Sequence, residues 1–380
     1  MSDNKTYSTK KNQIVKLGDI LEVLTDYHSN GSYKTLKENV TLLEQPNFAI
    51  MIRTTNFEKN DFRKNLIYIN QQAYNFLSKS KVLHQDILIN KIANAGAVYF
   101  MPRLDKPVSL GMNLFLLRIK KNYNKYFIFC ILKYNEKRLR LMAKGTTTKT
   151  ITKDNIKMFQ ILLPPLETQQ KIARTLSILD QKIENNHKIN ELLHNFAHKV
   201  YEYYFKYKPK NAKLEQIIIE NPKSSIMVKN AQKTQDKYPF FTSGDNILSY
   251  PKAIIDGRNC FLNTGGNAGI KFYVGKASYS TDTWCICANE FSDYLYLLLS
   301  SIKTHINQSF FQGTSLKHLQ KNLLKKYPIY MPSAHEIKKF NQIIMPLLTL
   351  ISINTRTSKK LEQIRDFLLP LLLKQQVKPQ

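Results

Sequence analysis

The sequence predicts an α+β fold in which two mixed α/β modules alternate with two long helices, as a pseudo-twofold internal repeat. The first observation is a heptad pattern after Pro164 and Pro165, where apolar residues recur at intervals of four and three over about thirty residues. The second is a copy of this pattern 168 residues later. The third is a series of short β-rich runs before each helix. Together these patterns predict two helices that pair as a coiled coil, each preceded by a module.

The predicted helices cover residues 164–206 and 332–376. A heptad pattern places one side chain of every three or four in a shared seam, and Asn186 and Asn354 fall at corresponding positions of the two seams. A buried amide there would fix the register of the pair; the alternative is that each asparagine lies at the edge of the seam. The seam positions are Ile172, Leu176, Leu179, Ile183, Asn186, Leu193 and Val200 in the first helix and Ile344, Leu347, Ile351, Asn354, Leu361 and Leu368 in the second.

The second helix contains Pro346, which departs from the pattern of the first. Proline cannot donate an intrahelical hydrogen bond, and its ring crowds the preceding turn. We therefore expect the second helix to kink or restart near this residue. The residues that open it, 331–336 (MPSAHE), are also a degraded copy of 163–168 (LPPLET).

The two modules are predicted at residues 16–163 and 207–331, after a polar tail at 1–15. Each opens in the same way, with KLGDI at 16–20 and KLEQI at 213–217. Inside them, Asn90 and the Asn-Ala-Gly triplet at 94–96 match Asn263 and the triplet at 267–269, both 173 residues apart. A Gly-Thr-x-x-Lys motif also precedes each helix. We therefore interpret the repeat as a duplication of a whole domain.

The formal net charge of +29 indicates a polyanionic partner. Residues 164–206 carry only +1 and residues 332–378 carry +5, so +23 lies outside the helices. This distribution points to the modules as the polyanion-binding bodies and to the helices as a scaffold. The alternative is a lysine-rich composition whose charges only solvate the surface.

Several classes of protein are disfavoured by the sequence. There is no signal-peptide pattern at the start and no apolar run long enough to cross a bilayer, so we expect a cytoplasmic protein. The four cysteines form no disulfide framework, and neither they nor His194 and His198 complete a metal site. Motifs of methyltransferases, P-loop enzymes and zinc proteases are missing, so we expect no catalytic residues and no bound metal.

The run LPPLETQQKI at 163–172, the long helix that follows it, the two modules and the two Gly-Thr-x-x-Lys motifs together resemble the specificity (S) subunit of type I restriction-modification systems. The resemblance covers nearly the whole chain. It implies that two target-recognition domains each read half of a split site in double-stranded DNA. It also implies that the helices pair antiparallel, separate the two domains and dock two methyltransferase (M) subunits, with restriction/translocase (R) subunits joining through the complex. S-adenosylmethionine, ATP and Mg²⁺ would then be bound by partner subunits.

Two further readings remain open from the sequence: a basic coiled-coil adaptor that binds RNA or a protein, and a self-contained nuclease. Under the DNA reading, a turn rich in glycine and hydroxyl side chains next to a lysine suits a phosphate, while amide and basic side chains on loops suit base edges. The phosphate candidates are Gly145, Thr146, Thr147, Lys149, Gly313, Thr314, Ser315 and Lys317. The other DNA-binding candidates are Arg53, Asn90, Lys91, Asn94, Thr242, Asn263, Asn267 and Gln312.

Overall fold

The computed structural model of the protein describes residues 12–231, 237–244 and 246–374. The chain forms two compact units, one made of Met1–Gln181 with Glu362–Gln380 and the other of Lys182–Leu361. Two helices of forty residues each, Leu166–Phe205 and Ala334–Leu373, contribute to both units. Each module is therefore completed by a part of both helices.

The first unit contains ten strands and the helices that connect them in the described part of the chain. The strands are β1 (Gln13–Lys16), β2 (Leu21–Asp26), β3 (Ala49–Ile52), β4 (Ile67–Ile69), β5 (Lys81–Val82), β6 (Ile87–Asn90), β7 (Val98–Phe100), β8 (Val108–Leu110), β9 (Leu114–Ile119) and β10 (Gln160–Leu163). The helices are α1 (Leu17–Ile20), α2 (Tyr33–Asn39), α3 (Thr54–Glu58), α4 (Gln71–Phe76), α5 (Lys125–Tyr134), α6 (Glu136–Leu141), α7 (Lys153–Met158) and the start of α8 (Leu166–Phe205), with 3-10 turns at Tyr27–Asn30 and Ser78–Ser80.

The second unit repeats most of this order. Its strands are β11 (Ala212–Lys213), β12 (Ile219–Glu220), β13 (Tyr238–Phe241), β14 (Leu248–Tyr250), β15 (Arg258–Asn263), β16 (Ile270–Val274), β17 (Ser278–Tyr279), β18 (Thr283–Cys287), β19 (Phe311–Gln312), β20 (His318–Leu319) and β21 (Pro328–Ile329). Its helices are α9 (Val228–Ala231), α10 (Ser292–Ser301), α11 (Lys303–Ser309), α12 (Lys321–Lys325) and most of α13 (Ala334–Leu373), with 3-10 turns at Leu214–Gln216 and Asn289–Phe291.

The sheets of the two units have matching topologies. A four-stranded antiparallel sheet has the order β2-β9-β6-β7 in the first unit and β12-β18-β15-β16 in the second. A mixed sheet has the order β4-β3-β8-β5 in the first unit, and its counterpart β14-β13-β17 lacks the last strand. In both mixed sheets one pair is parallel, β3 with β8 and β13 with β17. The predicted duplication thus extends to strand order and strand direction.

The central strands are buried because helices and a second sheet cover them. Five of the six residues of β9 and five of the six of β15 are buried, which explains their continuous apolar runs. The helices α5 and α6 are separated at Asn135, whose side chain donates a hydrogen bond to Ile131 O (2.9 Å). An asparagine that bonds the preceding turn competes with the backbone and ends the helix there.

The long helix α8 begins directly after Pro164 and Pro165, as predicted. Gln169 is buried and fixes this start: its Nε2 donates to Pro164 O (2.9 Å), and its Oε1 accepts from the backbone N–H of Asn124 (3.1 Å). The helix α13 begins differently, with a capping box in which Ser333 Oγ accepts from Glu336 N (3.3 Å) and Glu336 Oε2 accepts from Ser333 N (2.9 Å). This box replaces the proline pair of the first helix.

The expected restart at Pro346 is wrong, because α13 runs without interruption from Ala334 to Leu373. Pro346 is exposed, so water can bond the carbonyl that loses its helical partner. Farther along, Thr349 Oγ1 donates to Met345 O (2.6 Å), which also accepts from Arg258 Nη2 (3.2 Å). Neither donor reaches Gln342 O, the carbonyl four residues before the proline, which lies on an exposed residue and is left to water.

The helices pack antiparallel in each unit, as the family resemblance implied. In the first unit Ile172 and Leu176 are buried in one cluster with Leu372, and Arg365 Nη1 bonds Asp180 (2.8 Å). In the second unit a polar layer interrupts the apolar seam. Asn186 Nδ2 donates to Ser358 Oγ (3.2 Å), and Asn354 Nδ2 donates to Asn190 Oδ1 (2.9 Å). The two corresponding asparagines therefore do not face each other, but each has a partner within the seam.

The other predicted seam residues lie on the buried side of the helices to different degrees. Ile183, Ile344 and Ile351 are buried. Leu193, Val200 and Leu347 are partly buried against the core of the second unit, and Leu368 packs in the same way in the first. Leu179 and Leu361 are only half-buried. The seam is thus tightest where a module packs against it.

The largest aromatic cluster in the described residues of the second unit surrounds Phe205, the last residue of α8. Its side chain is 1 % exposed and lies 4.9 Å from the ring of Phe340 and 5.1 Å from that of Tyr294, between ring centroids. Truncating a buried phenylalanine removes its transfer energy and leaves a cavity. We expect Phe205→Ala to lower the free energy of unfolding of this unit by about 3–5 kcal/mol. The measurement is urea denaturation of the full chain, followed by circular dichroism.

The matched control is Tyr203→Ala, because Tyr203 is an aromatic residue of the same helix turn that is 86 % exposed. Its loss should change stability by no more than about 0.5 kcal/mol. Equal effects of the two substitutions would show that the Phe205 cluster does not hold the helix end to the unit.

Candidate nucleic-acid interface

The Gly-Thr loop of the first unit, residues 145–149, is a tight exposed loop closed by a pair of backbone hydrogen bonds. Lys144 and Thr150 form an antiparallel bridge, with N to O distances of 2.9 and 2.8 Å. Gly145 has φ +135°, and a Cβ at this position would lie 2.3 Å from Thr148 O. Only glycine fits there, because any other residue would strain the backbone and clash. The hydroxyls of Thr146 and Thr147 and the amine of Lys149 are consequently presented to solvent.

The second unit contains the same loop at residues 313–317. Gln312 bridges His318, Gly313 has φ +140°, and its added Cβ would lie 2.5 Å from Leu316 O. Thr314, Ser315 and Lys317 are exposed, and so is Gln312. The two motifs, which the sequence places 168 residues apart, therefore share one conformation.

The asparagine turns 90–97 and 263–269 also correspond. Asn90 N donates to Ala97 O (2.9 Å), and Asn263 N donates to Gly269 O (2.9 Å). The side chains of Asn90 and Asn263 are buried, and Asn263 Nδ2 donates to Asn267 O (3.1 Å) inside its own turn. These two amides cannot reach a base edge in this conformation, so the expectation that they read bases needs correction. The Asn263 amide supports its turn through this hydrogen bond, whereas Asn90 Oδ1 is buried without a hydrogen-bond partner among the described residues.

The side chains at the tips of the two turns are more exposed than those of Asn90 and Asn263. Asn267 is exposed, whereas Asn94 is half-buried and its Oδ1 accepts a hydrogen bond from Arg140. The guanidinium of Arg140 also bonds Glu136, so it holds Asn94 against α6. The two tips therefore differ in how firmly their amides are fixed.

In each unit the Gly-Thr loop and the asparagine turn are joined by backbone hydrogen bonds. Ile151 N donates to Lys91 O (3.1 Å) in the first unit, and Leu319 N donates to Thr264 O (3.0 Å) in the second. The second unit adds a bond from Gly266 N to Lys317 O (2.9 Å). We call each joined pair of loops a double loop: residues 90–97 with 145–149, and residues 263–269 with 313–317. The sequence separates the two parts of each pair, so their adjacency is a finding of the structure.

Lys91, predicted as a DNA contact, forms an ion pair inside the first unit. Its Nζ lies 2.6 Å from Asp26 Oδ2, and Lys153 Nζ lies 2.9 Å from Asp26 Oδ1. Burial alone would raise the pKa of the Asp26 carboxyl, but hydrogen bonds from Lys91, Ser29 and Lys153 hold this pKa well below its usual range. Asp26 is therefore ionised and neutralises much of the charge of both lysines.

Arg53 and Thr242 also have local structural contacts. Arg53 is half-buried, and its Nη2 donates to Asn65 O (3.2 Å). Thr242 is buried, its Oγ1 accepts from Gly244 N (3.1 Å), and its carbonyl accepts from Lys271 Nζ (2.8 Å). Both residues brace loops, and Thr242 cannot touch a ligand without a rearrangement.

His194 is half-buried and contacts Tyr296. Its Nδ1 lies 3.3 Å from Tyr296 Oη, and burial lowers its pKa. Within the described ranges no group of three or more His, Cys, Asp or Glu side chains could hold a metal ion. None of the described helices is long and apolar enough to span a membrane.

An exposed apolar stripe on α8 was overlooked at the sequence level. Ile189, Leu192 and Phe196 are 42, 68 and 52 % exposed, and they lie on one face of the helix because they are three and four residues apart. We call these three residues the α8 stripe. Their helical spacing, outside the seam positions, was the signal that could have revealed them.

Comparison with known proteins places this arrangement in a family. The family model for the type I restriction modification DNA specificity domain matches residues 9–195 and 210–363. In Methanocaldococcus jannaschii, the protein named as the specificity subunit of type I restriction enzyme MjaX is 25 % identical over 404 residues, covering 95 % of this chain and 92 % of that protein. The specificity subunit of type I restriction enzyme MjaIX from the same organism is 24 % identical over 279 residues, 62 % of this chain and 64 % of that protein.

Among solved structures, the S subunit of a type I restriction-modification system from M. genitalium has the same fold, with a TM-score of 0.61. The two chains are 16 % identical, and the match covers 98 % of each. The family match covers most of this sequence, and both of its segments include a module and part of a long helix. The chain therefore belongs to the type I restriction-modification DNA specificity family, as a DNA specificity subunit that is not itself catalytic.

Proposed function

We propose that each unit reads one half of a bipartite site in double-stranded DNA, and that its double loop contacts the DNA backbone. The observation that carries this proposal is the repetition of one double loop, with the same glycine conformation and the same backbone bonds, in two units of a DNA specificity subunit. Exposed hydroxyls, backbone N–H groups and a lysine in one tight loop suit a phosphate. The residues are Gly145, Thr146, Thr147, Lys149, Gly313, Thr314, Ser315 and Lys317.

Base reading requires side chains that reach the solvent beside these loops. Asn267 and Gln312 are exposed and meet this condition, whereas Asn94 is half-buried and would have to release Arg140. Amide side chains can form paired hydrogen bonds with adenine. Asn90, Asn263 and Thr242 are buried, and we assign Asn263 and Thr242 to the support of the loops through their side-chain hydrogen bonds. Arg53 already bonds Asn65 O and Lys91 bonds Asp26, so we place both after the exposed amides as DNA contacts.

We further propose that the helix pair separates the two half-sites and docks two methyltransferase subunits. Each helix has forty residues, a length of about 60 Å at 1.5 Å per residue. The α8 stripe gives the docking proposal a definite surface, since an exposed apolar patch on a helix is suited to a protein partner. S-adenosylmethionine, ATP and Mg²⁺ would be bound by the methyltransferase subunits and by restriction/translocase subunits that join the same complex.

Removing the loop lysines should weaken DNA binding without changing the preferred sequence. We expect Lys149→Ala or Lys317→Ala to reduce the slope of log K against log salt concentration by about 1, because each lysine would release one counterion. The measurement is binding of the reconstituted methyltransferase complex to target and random duplexes at several salt concentrations. Lys182→Ala, which changes an exposed lysine of α8, is the control. An altered consensus with an unchanged slope would contradict the phosphate assignment.

Exchanging one module should change one half of the target. Residues 207–331 carry a complete set of sheets with their own double loop. We therefore expect that replacing them by the corresponding module of another specificity subunit alters one half-site and leaves the other intact. Sequencing of the sites methylated by the reconstituted complex provides the measurement. Simultaneous change of both half-sites would refute the assignment of one unit to one half-site.

Polar substitution in the α8 stripe should weaken methyltransferase assembly and spare the fold. The pair Leu192→Ser and Phe196→Ser removes exposed apolar area, so the free chain should keep its stability while assembly weakens at least tenfold, about 1.4 kcal/mol. Asn195→Ser, an exposed polar residue of the same turn, is the control. Analytical ultracentrifugation of the mixed subunits measures assembly. Normal assembly of the double variant would remove the α8 stripe from the docking surface.

A further inference from the structure

The strand register identifies which residues of the two units occupy equivalent places. In the first unit Asp26 pairs with Phe115 between β2 and β9. In the second unit Glu220 pairs with Ile286 between β12 and β18, and Asn221 N donates to Cys285 O (3.0 Å), so Pro222 continues the register to Trp284. Phe115 pairs with Ile89 and Trp284 pairs with Leu262, each one residue before the equivalent asparagines Asn90 and Asn263. Trp284 therefore corresponds to Phe115, and Pro222 to Asp26. The buried carboxylate of the first unit has no counterpart at this position.

Of the two lysines that Asp26 binds in the first unit, Lys153 has a counterpart, whereas Lys91 corresponds to Thr264. Lys153 is the first residue of α7, and Lys321 is the first residue of α12, 168 positions later. The backbone confirms the correspondence, since Leu17 N donates to Phe159 O (2.7 Å) just beyond α7 and Leu214 N donates to Tyr327 O (2.9 Å) just beyond α12. The second unit therefore retains the amine and lacks the acid.

Lys321 lies over an aromatic ring without an ionised partner. Its Nζ is 5.1 Å from the ring centroid of Trp284. No carboxylate among the described residues lies within ion-pair distance of this amine. Burial lowers the pKa of Lys321; Glu220 partly opposes this effect, and the charges of Lys223 and Lys325 add to it.

The nearest acid is already engaged. Glu220 forms an ion pair with Lys325, and its other carboxylate oxygen accepts a hydrogen bond from Trp284 Nε1 (2.8 Å). One carboxylate therefore serves a group of three lysines: Lys223, Lys321 and Lys325. In the first unit the Asp26 carboxylate pairs with two lysines, with its oxygens 2.6 Å from Lys91 Nζ and 2.9 Å from Lys153 Nζ. The second unit is left with more uncompensated positive charge at the equivalent place.

We propose that Lys321, supported by Lys223 and Lys325, binds a phosphate of the DNA backbone beside Trp284, in the place where the first unit uses its own Asp26 carboxylate. A phosphate oxygen supplies the anionic partner that Pro222 cannot provide. This inference rests on the proposed function of the second unit as a DNA-reading body. Its consequence is that the two units hold their half-sites with unequal numbers of phosphate contacts.

The test compares Lys321→Gln with its matched control Lys153→Gln in the reconstituted methyltransferase complex. Binding to target and random duplexes is measured at several salt concentrations. Lys321→Gln should lower the slope of log K against log salt by about 1 and weaken binding to both duplexes by a similar factor. Lys153→Gln should leave the slope unchanged, because Asp26 already compensates that charge. An unchanged slope for Lys321→Gln, or equal slope changes for both variants, would overturn the proposal.

A second variant neutralises the charge of Lys321 without removing the lysine. Pro222→Asp places a carboxylate where the first unit has Asp26, so Lys321 should become paired and the slope should fall as in Lys321→Gln. Trp284 is the one tryptophan of the chain, so its emission in the free full chain reports whether each variant keeps the native surroundings of the site. A Pro222→Asp chain with native emission and the wild-type salt slope would count against the phosphate site.

Failure of this inference can be distinguished from failure of the proposed function. If the wild-type complex binds its target and Lys317→Ala weakens it, while Lys321→Gln has no effect, the double loop remains a DNA contact and only the Lys321 site is refuted. If the wild-type complex shows no preference for DNA of any sequence, the proposed function itself fails, and the Lys321 site fails with it.

Discussion

The structure depends on the burial of the two long helices in the cores of both units. Ile172, Ala173 and Leu176 of α8 belong to the same apolar cluster as the central strands of the first unit. Near the other end of α8, Ala197, Tyr201 and Phe205 form one cluster with the sheet of the second unit. Neither module has a complete core without the helices, because these clusters contain the side chains that cover the sheets. The helices are thus part of each domain rather than linkers between domains.

This shared burial explains why a polar layer is tolerated in the seam. Asn186, Asn190 and Asn354 find hydrogen-bond partners within the helix pair, and the apolar contacts that stabilise the pair lie mainly where the modules pack. An amide in a coiled-coil seam lowers stability and disfavours alternative registers, since a shifted register would leave it unpaired. The modules provide stability, and the polar layer provides register.

The parts that the sequence could predict are those that depend on local periodicity. The two seams, the duplication and the glycine loops follow from spacing alone, and the structure confirms the α+β class and the antiparallel helices. Local spacing could not predict the double loops, because their bonds join residues such as Lys91 and Ile151 that lie far apart in the sequence. It could not predict the burial of Asn90 and Asn263 either, since an amide that braces a turn has the same sequence signature as one that reads a base. The expected restart at Pro346 is wrong for a related reason: the energetic cost of the proline depends on whether water reaches the freed carbonyl, which only tertiary structure determines.

The charge of the protein also has a part that the sequence predicts and a part that tertiary structure determines. The net charge of +29 describes the composition, but the charge available to a polyanion depends on which lysines already have a carboxylate. In the first unit Asp26 pairs with two lysines, so their charges are not available to a polyanion. In the second unit Pro222 stands in the equivalent place, and Glu220, the acid near Lys321 in the described part of the chain, is bonded to Lys325 and Trp284. Both units have the same four-stranded sheet topology and the same double loop, so a few exchanges of charged residues, such as Asp26 for Pro222, make their electrostatics different. Two units that are alike in fold can therefore divide affinity unequally while each keeps its own surface for sequence recognition.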